Sequence, residues 1–172
     1  MNTIRHLLFT AFIVAVAQSG NAASGDFKPE FTASLASPYL KVQAALAADD
    51  LPAAKSAAGE LLAIAAKGPE FKTFTESTEA IMSAANIGAA RTSFLRVSDE
   101  LIALIDRVGT TGGPALFVAH CPMAFSGKGG DWLQADKEIN NPYYGASMLK
   151  CGTIKRQVTS KSASPDGHGG PH

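Results

Sequence analysis

Apolar side chains in the middle of the chain recur at helical spacing. Between residues 31 and 108 they return every three or four positions, which places them on one face of a helix. Four such stripes follow one another, and the last has the clearest period: Phe94, Val97, Leu101, Leu104 and Val108. Helix-stopping segments separate them: Asp49-Asp50, Gly68-Pro69, Gly88 and residues 109–114. Because short joints make consecutive helices antiparallel, the pattern predicts an up-down four-helix bundle.

The first stripe contains a proline, and two starting points for its helix are possible. It begins at Phe31, and Pro38 interrupts it. In one interpretation Ser37 is the N-cap and Pro38 is the first residue of the helix. In the other, the helix starts earlier and kinks at Pro38.

The chain changes character after Gly109. The remaining residues are rich in Gly, Pro and Asn, and they include both cysteines and the single Trp. Residues 116–119 and 153–158 have the composition of short strands that pair as a small β-ribbon. Asp131 is placed to cap a short helix over residues 132–139. We therefore predict a mainly α fold, a bundle followed by an irregular C-terminal arm.

The N-terminus predicts export to the periplasm or out of the cell. Arg5 supplies a positive charge, an apolar run of 11 residues extends from Leu7 to Ala17, and small residues precede Ala23. The run is shorter than the ~18 residues that span a bilayer, so we expect cleavage rather than membrane insertion. The predicted segments are a signal peptide (1–22), a polar leader (23–30), the bundle domain with its Cys/Met segment (31–158, the Cys/Met segment being 116–158) and a disordered tail (159–172).

The charge balance argues against two classes of partner. The chain has 15 basic and 15 acidic residues, and its formal net charge is +0 at pH 7. Nucleic acids and anionic membrane surfaces are bound by strongly basic proteins. We therefore expect neither as a partner.

Sulfur-containing side chains form the one candidate constellation. Cys121 and Met123 lie two positions apart, and Met148 and Cys151 lie three apart. Residues two apart in an extended segment point to the same face, and residues three apart meet on one helical turn. Thiolate and thioether ligands select soft cations, above all Cu(I), and His120 could add an imidazole. Structural zinc sites instead use four Cys or His ligands at tighter spacing.

The cysteines also permit interpretations other than a metal site alone. Cys121 and Cys151 could form a disulfide in an oxidising compartment, with Met123 and Met148 as core residues. The oxidised form could also be the resting form of a reducible metal site. A nucleophilic role for Cys121 is disfavoured, because the adjacent His120 points away from it in an extended segment. We therefore do not expect an enzyme.

The run from Cys121 to Gly152 resembles the signature of a bacterial family, domain of unknown function 3347. The shared elements are Cys121-Pro122-Met123, Trp132-Leu133, Ile139, Asn141 to Gly145, Met148 and Cys151-Gly152. The helical half is similar at Ala44, Leu46, Asp49-Asp50, Arg91 to Leu95 and Ser98. The resemblance covers about residues 39–152.

The resemblance implies a mainly helical periplasmic protein linked to heavy-metal efflux. It implies copper or a related metal as ligand and an efflux adaptor protein as a partner, and it brings no catalytic residues. Together with the sulfur set, it predicts a protein that binds Cu(I), and Ag(I) by the same softness, and buffers the ion or passes it on. The alternative is a disulfide-stabilised structural or interaction module that works without metal.

Three residues within the motif are expected to support the site. Trp132 either shields the metal or packs in the core. Asn141 is expected to hold a turn through its backbone hydrogen bonds and to orient one arm. Tyr143 is expected to pack the arm onto the bundle.

Overall fold

Four helices account for the first two thirds of the described chain. The computed structural model describes residues 26–159, so the predicted signal peptide and all but one residue of the predicted tail lie outside it. The helices are α1 Pro29–Ala47, α2 Leu51–Ala65, α3 Lys72–Met82 and α4 Ile87–Val108. Within the described part, no helix is both long and apolar enough to cross a membrane.

The predicted four-helix bundle is confirmed. Consecutive helices pack against each other, and α1 also contacts α4. Their apolar stripes form one core, whose largest fully buried members on the helices are Leu35, Tyr39, Val42, Leu46, Leu61, Phe74, Ile81, Phe94, Leu101 and Leu104. Burial of these side chains is the main favourable contribution to the stability of the bundle.

The joints between helices use local capping chemistry. The side chain of Asp50 caps α2 by accepting a hydrogen bond from the Ala53 amide at 2.9 Å, and Asn86 caps α4 in the same way. Gly109, at φ 86°, ends α4 in a conformation that favours glycine. The helix α1 begins at Pro29 and runs through Pro38, so a start at Ser37 is wrong.

A small antiparallel sheet follows the bundle. Its strands are β1 Phe117–Cys121, β2 Gly130–Gln134 and β3 Thr153–Gln157, and β1 lies between the other two. The predicted ribbon between the segments near 116–119 and 153–158 is confirmed, because β1 pairs with β3.

The predicted short helix over residues 132–139 is wrong. Its first residues belong to β2, where Trp132 and Leu133 lie opposite Ala119 and Val118 of β1. The apolar strand β1 pairs with β3 along one edge and with this segment along the other. The hydrogen bonds and the burial gained by pairing with β1 outweigh the local signal for a helix at Asp131.

The sheet shares the core of the bundle. Strand β2 packs on α4 and α1, and its Leu133 amide donates a hydrogen bond to the Tyr39 hydroxyl at 3.0 Å. That hydroxyl also makes a 2.7 Å hydrogen bond with Ser98 of α4. The bundle and the sheet are therefore joined by buried polar contacts as well as by apolar packing.

Candidate functional site

The fold brings the two cysteines into contact. Cys121 is the last residue of β1, and Cys151 lies 30 residues later, just before β3. Their Sγ atoms are 3.1 Å apart, and both are free thiols. Cys121 is fully buried, whereas Cys151 is partly exposed. The pair is therefore reached from solvent on the Cys151 side.

The contact with Cys121 changes the pKa of Cys151. The hydrogen bond with Cys121 raises the pKa of the Cys151 thiol, and partial burial and the charge of a Cys121 thiolate raise it further. The protonated form of Cys151 is therefore favoured, and any metal ion bound there must displace that proton.

Asn141 holds the arm that carries Cys151. Its fully buried side chain donates a hydrogen bond from Nδ2 to the Cys151 carbonyl at 2.7 Å and accepts one from the Tyr143 amide at 2.8 Å. Its own amide donates to the Leu149 carbonyl at 2.8 Å. The side chain thus connects the turn after residue 140 directly to the backbone of Cys151.

The two methionines lie at the surface near the cysteines in sequence. Met123 is 55% exposed and Met148 is 36% exposed. The Met123 carbonyl accepts a hydrogen bond from the Tyr144 hydroxyl at 2.7 Å, and the Met148 carbonyl accepts one from the Cys151 amide at 3.0 Å. Their backbones are thus held while their thioethers reach solvent, which is not the core packing expected under the disulfide interpretation.

His120 pairs with a carboxylate. Its Nδ1 lies 2.6 Å from Oδ1 of Asp131, and Lys155 donates to the other oxygen of Asp131 at 2.8 Å. Burial raises the pKa of Asp131, but the hydrogen bonds from Lys155 and His120 lower it overall. Because an ionised carboxylate only accepts, Nδ1 of His120 carries a proton. Successive residues of a strand point to opposite faces, so this imidazole points away from the Cys121 thiol.

Aromatic side chains lie under the Cys151 arm. Trp132 is fully buried, donates to Gln134 at 2.9 Å and meets Tyr143 edge-on, with ring centroids 5.6 Å apart. A Cβ atom on Gly152 would lie 2.9 Å from the Trp132 ring and 2.8 Å from the His120 carbonyl. A side chain at position 152 would therefore push the Cys151 arm away from β1, and Trp132 sets how closely the arm approaches.

An ion pair of the bundle that contacts the arm was not predicted from the sequence. Arg91 donates to the Pro142 carbonyl at 2.8 Å, to the Leu46 carbonyl at 2.9 Å and to Oδ1 of Asp49 at 2.6 Å. The other oxygen of Asp49 accepts from the Ala146 amide at 2.8 Å. We call Asp49 and Arg91 the clamp, since together they hold both ends of the turn over residues 142–146.

The sulfur atoms are the distinctive donors of this site. Across residues 26–159, no three or more His, Cys, Asp and Glu side chains are grouped so that they could hold a metal ion. The cysteine pair supports two kinds of chemistry. It can be oxidised to a disulfide, or it can lose its protons and bind a soft cation, with thioethers as further donors.

One protein family matches the helical region. Residues 35–113 match the model of a family described as Protein of unknown function (DUF3347). The resemblance to this family is confirmed. The matched residues include Asp49 and Arg91 and end before β1, so the Cys/Met segment lies outside them. No curated protein and no solved structure matches the chain.

Proposed function

We propose that this protein binds one Cu(I) ion between Cys121 and Cys151 and acts as a carrier or buffer of soft metal ions. One observation carries the proposal: two free thiols, 30 residues apart in sequence, are held with their sulfurs 3.1 Å apart. Thiolate pairs match the softness of Cu(I) and Ag(I) far better than that of Mg²⁺ or Ca²⁺.

The exposure of the donors supports a role in transfer. Cys121 is fully buried, Cys151 is partly exposed, and Met123 and Met148 are at the surface. An arriving ion would meet the partly exposed Cys151 thiol before the buried Cys121 thiol, and the exposed methionines offer neutral thioethers as further donors. Neutral thioethers bind more weakly than anionic thiolates, so they would guide the ion without holding it. His120 is the least favoured of the candidate ligands, because it points to the other face of β1.

The location and the partner are part of the proposal and rest on the sequence. The predicted N-terminal signal peptide and the resemblance to the domain of unknown function 3347 family support export to the periplasm and a link to heavy-metal efflux. In that setting the recipient of the ion would be an efflux adaptor protein.

The same thiol contact also favours a second candidate, a structural module stabilised by a Cys121–Cys151 disulfide. Sulfurs that already touch need only a small displacement to form the bond. The two candidates differ in what the methionines do, because a disulfide needs no further sulfur donors.

Titration of the reduced protein with Cu(I), against a competing chelator and without oxygen, tests the proposal. We expect about one ion per chain. Cys121→Ser and Cys151→Ser should each reduce the affinity by more than the roughly 10–100-fold typical of losing a residue that supports a ligand. Met123→Leu and Met148→Leu should reduce it less and leave the fold intact, because the exchange nearly conserves volume.

A matched control separates the loss of metal binding from general damage to the fold. Met82→Leu changes a methionine that is 40% exposed at the end of α3, and it should leave Cu(I) affinity unchanged. His120→Ala tests the remaining candidate ligand, and it should have little effect on Cu(I) affinity because the imidazole points away from the Cys121 thiol. If neither Met123→Leu nor Met148→Leu alters the affinity and the wild-type protein is always isolated oxidised, the disulfide module is the correct function.

A further inference from the structure

The contact between the thiols depends on what positions Cys151. Cys121 is the last residue of the central strand β1, where it pairs with Gly130 of β2, and the preceding His120 pairs with Thr153 of β3. Cys151 precedes β3 and follows the segment 135–150, which contains only turns and one short 3₁₀ helix, Gly145–Ser147. Pairing of β3 constrains its C-terminal side. Its N-terminal side needs a separate anchor.

We propose that the clamp residues Asp49 and Arg91 are positioning residues that hold Cys151 against Cys121, so that the helical bundle sets the distance between the two thiols. The connection can be followed bond by bond. Arg91 binds the Pro142 carbonyl, the preceding Asn141 side chain binds the Cys151 carbonyl, and each of these hydrogen bonds is 2.7–2.8 Å long.

The burial of Arg91 distinguishes the clamp from an ordinary surface ion pair. Its side chain is only 12% exposed, against 40% for Asp49. It also donates to the Leu46 carbonyl near the C-terminal end of α1, which accepts a longer bond of 3.3 Å from the Asp49 amide just beyond the helix. Loss of the guanidinium would therefore leave the carbonyls of Leu46 and Pro142 without this donor, an effect larger than that of an exposed salt bridge.

The backbone around the clamp is shaped to fit it. Asp49 adopts φ 60°, a left-handed conformation that few non-glycine residues occupy. Gly145 has φ 59°, and a Cβ atom on it would collide with Arg91 and Asp49. The Ala146 amide, followed by Arg91, lowers the pKa of Asp49, so its carboxylate is ionised at neutral pH. Asp49, Arg91 and Gly145, which come from three parts of the chain, are thus closely packed against each other.

The positioning role of the clamp concerns the same site as the proposed function. It rests on that function only for the effect of the clamp on Cu(I) binding. Its effect on the thiols can be measured without metal. In a glutathione buffer the two thiols give up two protons and two electrons to glutathione disulfide, which yields the protein disulfide and two glutathione thiols. Thiols held in contact close this bond readily, whereas thiols on a loosened arm must first be brought together.

The test measures the reduction potential of the Cys121–Cys151 pair in the full mature chain by alkylation of free thiols across glutathione buffers. Asp49→Asn keeps the shape of the side chain, and asparagine tolerates the left-handed backbone. Its NH₂ group, however, must face a donor, either Arg91 or the Ala146 amide. Arg91→Gln removes the guanidinium, and Gly145→Ala displaces the clamp without removing a charge. We expect each variant to make the disulfide about tenfold less favourable, a potential about 30 mV less negative.

The matched control removes an ion pair that does not contact the arm. Glu60→Gln breaks the 2.6 Å pair between Lys41 and Glu60 on α1 and α2, and it should leave the potential unchanged. Far-ultraviolet circular dichroism establishes that each variant keeps its helices. If Arg91→Gln loses helix, Asp49→Asn and Gly145→Ala decide the question.

The outcomes separate this inference from the proposed function. Unchanged potentials in helical Asp49→Asn and Gly145→Ala proteins would overturn the positioning role. A shift in potential of the Asp49 and Gly145 variants, with no Cu(I) binding by the wild-type chain, would support the clamp and reject the copper carrier. Parallel losses of disulfide stability and Cu(I) affinity would support both.

Discussion

Replacing Tyr39 by Phe removes a single oxygen atom from the junction of the bundle and the sheet. The ring is fully buried in α1 and stacks on Phe94, with centroids 5.0 Å apart. The hydroxyl accepts a hydrogen bond from the Leu133 amide of β2 and makes another with Ser98 of α4. Burial raises the pKa of Tyr39 well above its usual value of 10.0, so the hydroxyl is neutral at physiological pH.

The magnitude follows from what each partner loses. Phe keeps the ring and its stacking, so the apolar contribution hardly changes. Ser98 can turn its hydroxyl toward a carbonyl of its own helix, which makes its loss small. The Leu133 amide has no such freedom, and a buried amide without an acceptor costs about 1–3 kcal/mol. We therefore expect Tyr39→Phe to lower the free energy of unfolding by about 2 kcal/mol.

Urea unfolding of the reduced protein measures this loss. Fluorescence of Trp132, the single Trp of the chain, reports on the sheet, and far-ultraviolet circular dichroism reports on the helices. Ser98→Ala is the control, because it leaves the bond between Tyr39 and Leu133 in place and should cost about 1 kcal/mol or less. A loss below about 0.5 kcal/mol for Tyr39→Phe, with an unchanged denaturant slope, would refute the argument that the hydroxyl is needed by the Leu133 amide.

Two further predictions concern the Cys151 arm. Asn141→Ala removes the side-chain partners of the Cys151 carbonyl and the Tyr143 amide, so urea unfolding should show a loss of about 2–4 kcal/mol, and an unchanged midpoint would contradict the assigned role. Because the pKa of Cys151 is raised, Cu(I) must displace the proton of this thiol, and the measured affinity for Cu(I) should increase between about pH 6 and about pH 8. Calorimetry in buffers of different ionisation enthalpy should detect the released protons. An affinity that does not depend on pH would argue against thiolate ligation.

The helices were predictable because their signals are local. The spacing of apolar residues identifies the buried face of α4, and Asp50 caps α2 three residues before the amide that it binds. Gly109 ends α4 where the sequence predicts an end. Each of these features depends on residues within one or two turns, so a single sequence contains the information.

The second strand could not be recognised in the same way. Trp132 and Leu133 form a short apolar pair after Asp131, a pattern that suits the start of a helix as well as a strand. What decides for the strand is its pairing with β1 and the hydrogen bond of Leu133 to Tyr39, 94 residues away in sequence. Such partners are known only once the bundle is assembled.

Contacts between side chains that are distant in sequence were equally hard to predict. The sulfur set was identified because its members are rare residue types close together in sequence. The clamp was not, since Asp49 and Arg91 are 42 residues apart and charged residues on helices usually face solvent. The pairing of His120 with Asp131 depends on strand register, which the predicted helix at that position would have excluded.

The arrangement explains how a helical bundle can serve a site that lies outside it. Bringing together two thiols 30 residues apart in a flexible chain costs about 3–4 kcal/mol of loop entropy. Here that entropy is already lost on folding, through the hydrogen bonds of Asn141 and the clamp and through the pairing of β3. A metal ion or a disulfide at the site therefore needs to order little of the chain, in contrast to zinc fingers, which fold only when metal binds. Under the proposed function, binding energy that would otherwise order the loop would contribute to the affinity for Cu(I).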